Sequence, residues 1–483
     1  MIAPWVAEEM AKANLGDKRL NRRLRRVLSD LSDRPTASIP AACGGHKEMT
    51  ATYRFFDNDK ATLDKILEPH YACSQQRIAA QEVALLVQDT TEMDLTRPEQ
   101  VVEGAGPLDD SARRGVFVHT LQAFTPDGTP LGAVWVDCWA RDEASLAQPQ
   151  KVKRKKRKAA PIEEKESYRW VQGLRQCRVV AEQCPNTTCV CIADSEADIY
   201  EVFTEPRGTQ PSVHWLIRLC QERPLQAGSA AEARTIRDQV GAQPVLFTKE
   251  ISVRGRKTKV ACEERSRRQA RRDRQAVVAV RAVQVTLRPP ARARGQLPAV
   301  TVNVVLVQEV NPAAGEEPVE WLLLTTLPID SLEEVRLIIQ YYCVRWMIEV
   351  LFRTLKSGCR VEQRRFEELE RMLACLAVYL ITAWRTLFVC RLGRSCPDID
   401  CEAVFEPSEW QAVWVAVQGA KLPRRPPRLG EMVRLVAQLG GYVNRPARRD
   451  PPGPQTIWLG LQRMRDLAWA WDIFGPGAKE PVV

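Results

Sequence analysis

Two short apolar runs along the chain each stop on an aspartate. Residues 82–89 read Glu-Val-Ala-Leu-Leu-Val-Gln-Asp and residues 189–194 read Cys-Val-Cys-Ile-Ala-Asp. Continuous apolar character over so few residues is the pattern of a strand buried on both faces, so Asp89 and Asp194 are each expected at a strand end. Residues 1–70 follow the helical period instead. Leu15-Gly16-Asp17 stops one helix and caps the next. In 18–28, Leu20, Leu24, Val27 and Leu28 share one face and arginines cover the other. A short helix with Tyr53-Arg54-Phe55-Phe56 follows.

Further along, residues 115–140 alternate as strands do, around a turn at Pro126-Asp127-Gly128. Residues 151–158 are a dense basic run, read as a loop because its like charges repel. A helix through Ile199, Tyr200 and Phe203 follows the second aspartate. Residues 213–310 are β-rich, with arginine-heavy linkers at 254–259 and 265–274, and Trp321-Leu-Leu-Leu-Thr-Thr326 is a further strand. From Ser331 the pattern is mainly helical. Ser331 and Glu334 match a capping box, and Gly358 supplies a stop. The segment between them predicts one helix of about 26 residues, apolar on nearly every side and therefore buried.

Polar residues in such a helix need a reason. Tyr342, Arg345, Glu349 and Lys356 are spaced 3, 4 and 7 apart. At ~100° per residue they fall in one arc of about 60°. One reading is an internal Arg345–Glu349 ion pair with Lys356 at the surface. The other joins Glu349 to the two strand-end aspartates, since sheets gather ligands at their strand ends. Three hard carboxylates suit Mg²⁺ or Mn²⁺ rather than zinc, and a pair of such ions serves phosphoryl transfer. Arg345, Lys356 and Tyr342 would then grip neighbouring phosphates.

Bulk properties agree with a DNA partner without demanding one. The chain has 483 residues, long enough for about three domains. Its 70 basic against 60 acidic residues leave a formal charge of +10, which favours a polyanion. The 15 cysteines are scattered with no C-x-x-C pair, and read as reduced, mostly buried thiols. The first ten residues carry acids and no apolar segment of signal-peptide type. No apolar run approaches the ~20 residues of a membrane helix. A cytoplasmic, nucleoid-associated protein is expected.

Tyr342-x2-Arg345-x3-Glu349-x6-Lys356 resembles the YREK signature of bacterial insertion-sequence DDE transposases. The chain looks most like the branch containing the cut-and-paste transposase of the kanamycin-resistance composite transposon. Asp89-Thr90-Thr91 and Asp194-Ser195-Glu196-Ala197-Asp198-Ile199 resemble the first and second acidic motifs of the family. Leu15-Gly16-Asp17, Lys165-Glu166-Ser167, the Trp321 strand and Leu439-Gly440-Gly441-Tyr442 match as well. The resemblance covers essentially the whole chain. It implies an α/β protein with an RNase H-like mixed-sheet catalytic core (71–370), a β-rich insertion at about 220–315, an N-terminal helical DNA-binding domain (1–70) and a C-terminal helical dimerisation domain (371–483).

The resemblance also implies roles. Asp89, Asp194 and Glu349 would be catalytic and would ligate the metal, two Mg²⁺ or Mn²⁺ ions. Tyr342, Arg345 and Lys356 would hold transposon-end phosphates. Trp321 and Trp346 would flank a flipped base during hairpin formation, and Arg218 and Arg365 align with DNA-contacting positions. Ser195 stands where relatives often carry arginine. The partners would be double-stranded DNA, as transposon ends and target, and a second copy of the chain in a synaptic homodimer, with no membrane. The function implied is cut-and-paste transposition. Two other readings are an RNase H-like nuclease that does not join strands and a catalytically silent DNA-binding inhibitor of transposition.

Overall fold

The computed structural model describes residues 2–108, 112–143, 160–208, 213–226, 235–253, 273–293, 295–312, 314–443 and 451–476. The basic run at 151–158 and the arginine-rich stretches 254–259 and 265–272 lie outside the described residues. The chain divides into two compact units, Met1–Ala159 with Trp346–Val483, and Ala160–Arg345.

The first unit contains four strands: β1 (Val83–Asp94), β2 (Gly106–Pro107), β3 (Arg114–Phe124) and β4 (Pro130–Trp139). β3 pairs antiparallel with β1 along one edge and with β2 and β4 along the other. The expected turn closes the β3–β4 hairpin, where Gly128 takes a φ of +85° that favours glycine. Around these strands stand helices from both ends of the chain. The helix Lys18–Asp33 is capped by the Asp17 side chain and buries Leu24, Val27, Leu28 and Leu31.

The helix Leu369–Ser395 buries Met372, Leu376, Tyr379 and Leu380 among its many interior positions. It packs on Lys18–Asp33, Leu63–Ala79, β4, Leu429–Leu439 and Pro454–Phe474. This corrects the expectation that no segment has the length and apolarity of a membrane helix: Leu369–Ser395 has both, with a mean hydropathy of 1.8 over its most apolar window. Burial against four helices and a strand accounts for that character. The fourteen described cysteines are all free thiols, nine of them buried.

The second unit holds β5 (Thr188–Ala193), β6 (His214–Arg218), β7 (Phe247–Val253), β8 (Arg274–Leu287), β9 (Val300–Glu309) and β10 (Glu320–Thr325). β5 and β6 are parallel, and the remaining neighbours, in the order β6-β10-β9-β8-β7, are antiparallel. The β-rich insertion thus extends a mixed sheet through β9 and β10 rather than folding as a sheet of its own.

Two expectations about local structure are corrected. Asp89 does not end its strand. Burial is continuous over 84–89, but the ladder with β3 runs on to Asp94, because Thr90 and Thr91 are good strand residues even where the apolar run stops. Nor is 331–358 one helix. Leu332–Val344 starts with the expected Ser331–Glu334 capping box. At Arg345 the backbone N–H turns to Tyr342 O, three residues back. Trp346–Arg353 follows, then a π-helical turn over Thr354–Gly358. The uniform projection of 100° per residue therefore ends at Val344.

A buried knot in the first unit ties the N-terminal helix to the sheet. Glu9 takes a hydrogen bond from His70 Nδ1 at 2.6 Å and two from Arg77 at 3.0 Å. His70 Nε2 accepts from Ala133 N at 3.0 Å, which places the imidazole proton on Nδ1. Burial alone would raise the Glu9 carboxyl, but His70 and Arg77 outweigh it and hold it at about 2. Burial lowers the His70 imidazole, against the pull of Glu9. The depressed carboxyl stabilises the fold fully above its unfolded value of 4.5, and that stability is lost as pH falls through about 2. A histidine kept neutral in the fold adds a loss as pH falls through 6.5. Urea midpoints should therefore decline below pH 6.5 and more steeply below 4.5. Glu9→Gln should flatten the lower limb and lower the neutral-pH stability. An unchanged acid limb in that variant would refute the assignment.

Candidate active site

In the second unit, four of the residues singled out from sequence bear on the phenol of a fifth, Tyr342. The apolar β5 delivers Asp194 immediately after its last residue, as expected, and the Asp194 side chain caps the 3₁₀ turn Ser195–Ala197 by accepting from Glu196 N at 2.8 Å. Arg218 ends β6 opposite Leu323 of β10. Trp321, near the start of β10, is half-buried and meets the Tyr342 ring edge-to-face at 5.5 Å. Tyr342 itself is 6% exposed.

Its hydroxyl is pushed up, chiefly by burial and further by Asp194, while Arg345 and Arg218 pull the other way. Both guanidiniums therefore bear on the Tyr342 hydroxyl. With its pKa raised, the phenol keeps its own proton and can donate it to an incoming acceptor. Two cations and a retained O–H next to a carboxylate make a place for a phosphate oxygen.

The first unit carries the other predicted residues. Asp89 is 7% exposed within β1, facing Thr120 in register, and its Oδ1 accepts from Thr90 N at 2.8 Å. Beside it runs a polar row in which His119 bridges Gln88 at 3.1 Å and Thr90 at 2.8 Å. The helix Trp346–Arg353 packs on β1 and carries Glu349, half-buried. Trp346 opens that helix at 58% exposure. Lys356, on the π-helical turn, lies 3.6 Å from Glu362, which also accepts from Asp94 N at 3.0 Å. Arg365 is exposed, and its charge bears on Arg97, which is lowered first by burial and then by Arg365. Arg97 donates to the backbone oxygens of Glu362 and Arg364.

Glu362 and Arg97 are the residues that sequence reasoning missed. Neither sits on a periodic face or in a recognisable motif. Only the return of the chain to the end of β1 gives them a role.

On the N-terminal helix, the arginine face is sorted by partner. Arg23 pairs with Glu48 at 2.5 Å, Arg26 with Asp30 at 2.9 Å, and Arg25 donates to Met10 O. Arg19 and Arg22 stay exposed on a groove that Arg54 also lines. Exposed guanidiniums along one groove suit backbone phosphates.

Three carboxylates offer hard oxygen donors only, and that chemistry fits Mg²⁺ or Mn²⁺. Asp89 and Glu349 belong to the first unit and Asp194 to the second. Among the described residues, no three His, Cys, Asp or Glu side chains are gathered into a group that could hold an ion.

Three family models match the chain. Residues 2–61 match a transposase DNA-binding model, residues 169–384 a transposase DDE domain, and residues 381–469 a transposase Tn5 dimerisation domain. The DDE match takes in Asp194 and Glu349; Asp89 precedes it. The match implies an RNase H-like fold, in keeping with the mixed sheet and its helices. Among solved structures, the chain resembles one from a cryo-EM structure of a piggyBac transposase synaptic complex with hairpin DNA. That likeness has 9% identity and covers 95% of this chain and 75% of that one, but its TM-score of 0.35 is too low to bear on the fold.

Tyr342→Phe removes the phenolic hydroxyl while keeping the ring on Trp321. Cleavage of an end-bearing duplex should slow roughly tenfold or more, the worth of a hydrogen bond to a charged group. Duplex binding, measured in parallel, should hold. Wild-type cleavage in this variant would remove Tyr342 from the site.

Proposed function

We propose that the chain, whose residues 169–384 match a transposase DDE domain, is a metal-dependent enzyme that cleaves and joins DNA by a cut-and-paste route in which Asp89, Asp194 and Glu349 would hold two Mg²⁺ or Mn²⁺ ions. The bound ions would supply charge neutralisation at the phosphate and a more acidic nucleophile. The chain's own residues bind, orient and exclude. Tyr342, Arg345 and Arg218 hold phosphate oxygens next to Asp194, and Lys356 and Arg365 hold them on the side of β1. Trp321 and Trp346 offer indole faces on which an extruded base can stack. Residues 1–70 read the transposon end, 71–370 carry the chemistry, and 371–483 join two copies into a synaptic dimer on the bacterial chromosome.

The reaction proceeds by successive in-line displacements at phosphorus. Water attacks at the transposon end and releases a 3′-hydroxyl. That hydroxyl attacks the opposite strand, forming a hairpin and expelling the flanking DNA. A second water opens the hairpin, and the regenerated 3′-hydroxyl attacks target DNA. Each step exchanges one phosphodiester bond for another or for a hydroxyl, so no external energy source is needed.

The observation that carries this reading is the Tyr342 cluster. A hydrolytic nuclease needs the carboxylates alone. A protonated phenol under the influence of the Arg218 and Arg345 charges, with Trp321 against its ring, is suited to keeping hold of a cleaved end until it is joined. Asp89→Ala should abolish metal-dependent nicking of an end-containing duplex and leave duplex binding intact; undiminished nicking would remove Asp89 from its role. Supplied with pre-cleaved ends, the wild-type protein should join them to a target plasmid. Cleavage without joining would instead mark a nuclease.

A further inference from the structure

The second acidic motif contains a further aspartate that the ligand set does not use. Asp194 begins the 3₁₀ turn Ser195–Ala197 and Asp198 ends it. The turn is closed by Ala197 N to Asp194 O and Asp198 N to Ser195 O, both 3.3 Å. Asp198 is 2% exposed, and its carboxylate is fully engaged. One oxygen accepts from Cys220 N at 2.9 Å and Gln221 N at 2.8 Å. The other accepts from Arg223 Nε at 2.7 Å and from the same guanidinium's terminal nitrogen.

Arg223 is 8% exposed, donates again to Asp198 O at 2.7 Å, and lies over the Phe203 ring at 5.0 Å. From the other side, Cys220 Sγ reaches Ser195 O at 3.4 Å. The turn that carries Asp194 is thus clamped at both ends to the segment leaving β6.

Burying an ion pair is costly and is weak evidence for stability; its defensible use is to specify one arrangement. What this pair specifies is the path of the three residues between Asp194 and Asp198. We infer that Asp198 and Arg223 are positioning residues for Asp194: they fix the turn so that the Asp194 carboxylate is held in place for its cation. The inference rests on the reading of Asp194 as a metal ligand. Neither residue touches substrate or metal. They act as outer partners of a ligand do, whose loss typically weakens metal affinity about 10–100-fold.

The test uses the full-length chain with an end-bearing duplex, and Mn²⁺ as probe, its free concentration followed by electron paramagnetic resonance. Asp198→Asn places an amide N–H₂ against the donors that now converge there. Arg223→Lys keeps the charge and loses the planar fork. Each should raise the Mn²⁺ half-saturation by about tenfold or more, leave duplex affinity in chelator unchanged, and recover cleavage as Mn²⁺ is raised. A folded variant with wild-type Mn²⁺ half-saturation would overturn the inference. Asp194→Ala separates the two levels, since unchanged Mn²⁺ binding there would sink the ligand reading itself. Hydrogen exchange on the wild-type protein needs no variant to fold. The amides of Glu196, Cys220 and Gln221 should open as one unit, and independent opening of Glu196 would contradict the clamp.

Discussion

A polar group set into an apolar helix must find its partner on another element, and that requirement organises the second unit. Tyr342 lies on the inner face of the Leu332–Val344 helix, which is not buried all round as its apolar content predicts but exposes Leu332, Glu333, Arg336, Gln340 and Cys343. Its oxygen is costly to bury unless something donates to it. Arg218, at the end of β6, bears on it with positive charge, and the ring is packed by Trp321 from β10. The parallel β5–β6 pair then sets Asp194 and Arg218 at the ends of adjacent strands. A packing problem on one helix and the layout of a phosphate-handling site are therefore one problem, solved by that helix with β5, β6 and β10.

Much of this was readable from the residues. Asp194 stood out because an apolar run stops on it, and it does follow the strand. The helix start at Ser331 was legible because a capping box is local chemistry, closed between residues three apart. Asp89 was recognisable as a residue but misplaced within its strand. Apolar content reports burial, whereas strand length is set by the β3 partner, which sequence does not display. The breaks at Arg345 and Thr354–Gly358 were invisible for a related reason. Neither contains proline, and a change in hydrogen-bond register within a helix leaves the apolar pattern almost untouched. Glu362, Arg97 and Arg223 were missed because each acts through a contact made far along the chain.

The first unit shows the same division between local and distant control. Asp17 capping its helix and Gly128 turning its hairpin are short-range events. The interior depends on Leu369–Ser395, whose faces are covered by helices from both ends of the sequence. Arg364 illustrates how such distant parts are fastened. It is 5% exposed, donates to the backbone oxygens of Pro35, Ala37 and Cys359, and lies over the Tyr379 ring at 4.7 Å. One guanidinium thereby joins the segment after the N-terminal basic helix to the loop bearing Glu362 and Arg365.

The pairing of Lys356 with Glu362 at 3.6 Å changes how the protein's charge should be counted. A lysine surrounded by salt water exchanges a condensed cation on DNA for itself, and the freed ion's entropy makes binding weaken with added salt. Lys356 already has a counter-ion, and it is covalently part of the protein. A phosphate arriving there must compete with a carboxylate that cannot diffuse away, as it must at Arg23 with Glu48 and Arg26 with Asp30. The ionic-strength dependence of DNA affinity therefore reflects the cations that meet phosphate without an internal rival, such as Arg19 and Arg22, more than the formal charge of +10. A basic residue held by an internal acid contributes discrimination by geometry, because only a phosphate placed well enough to displace that acid is accepted.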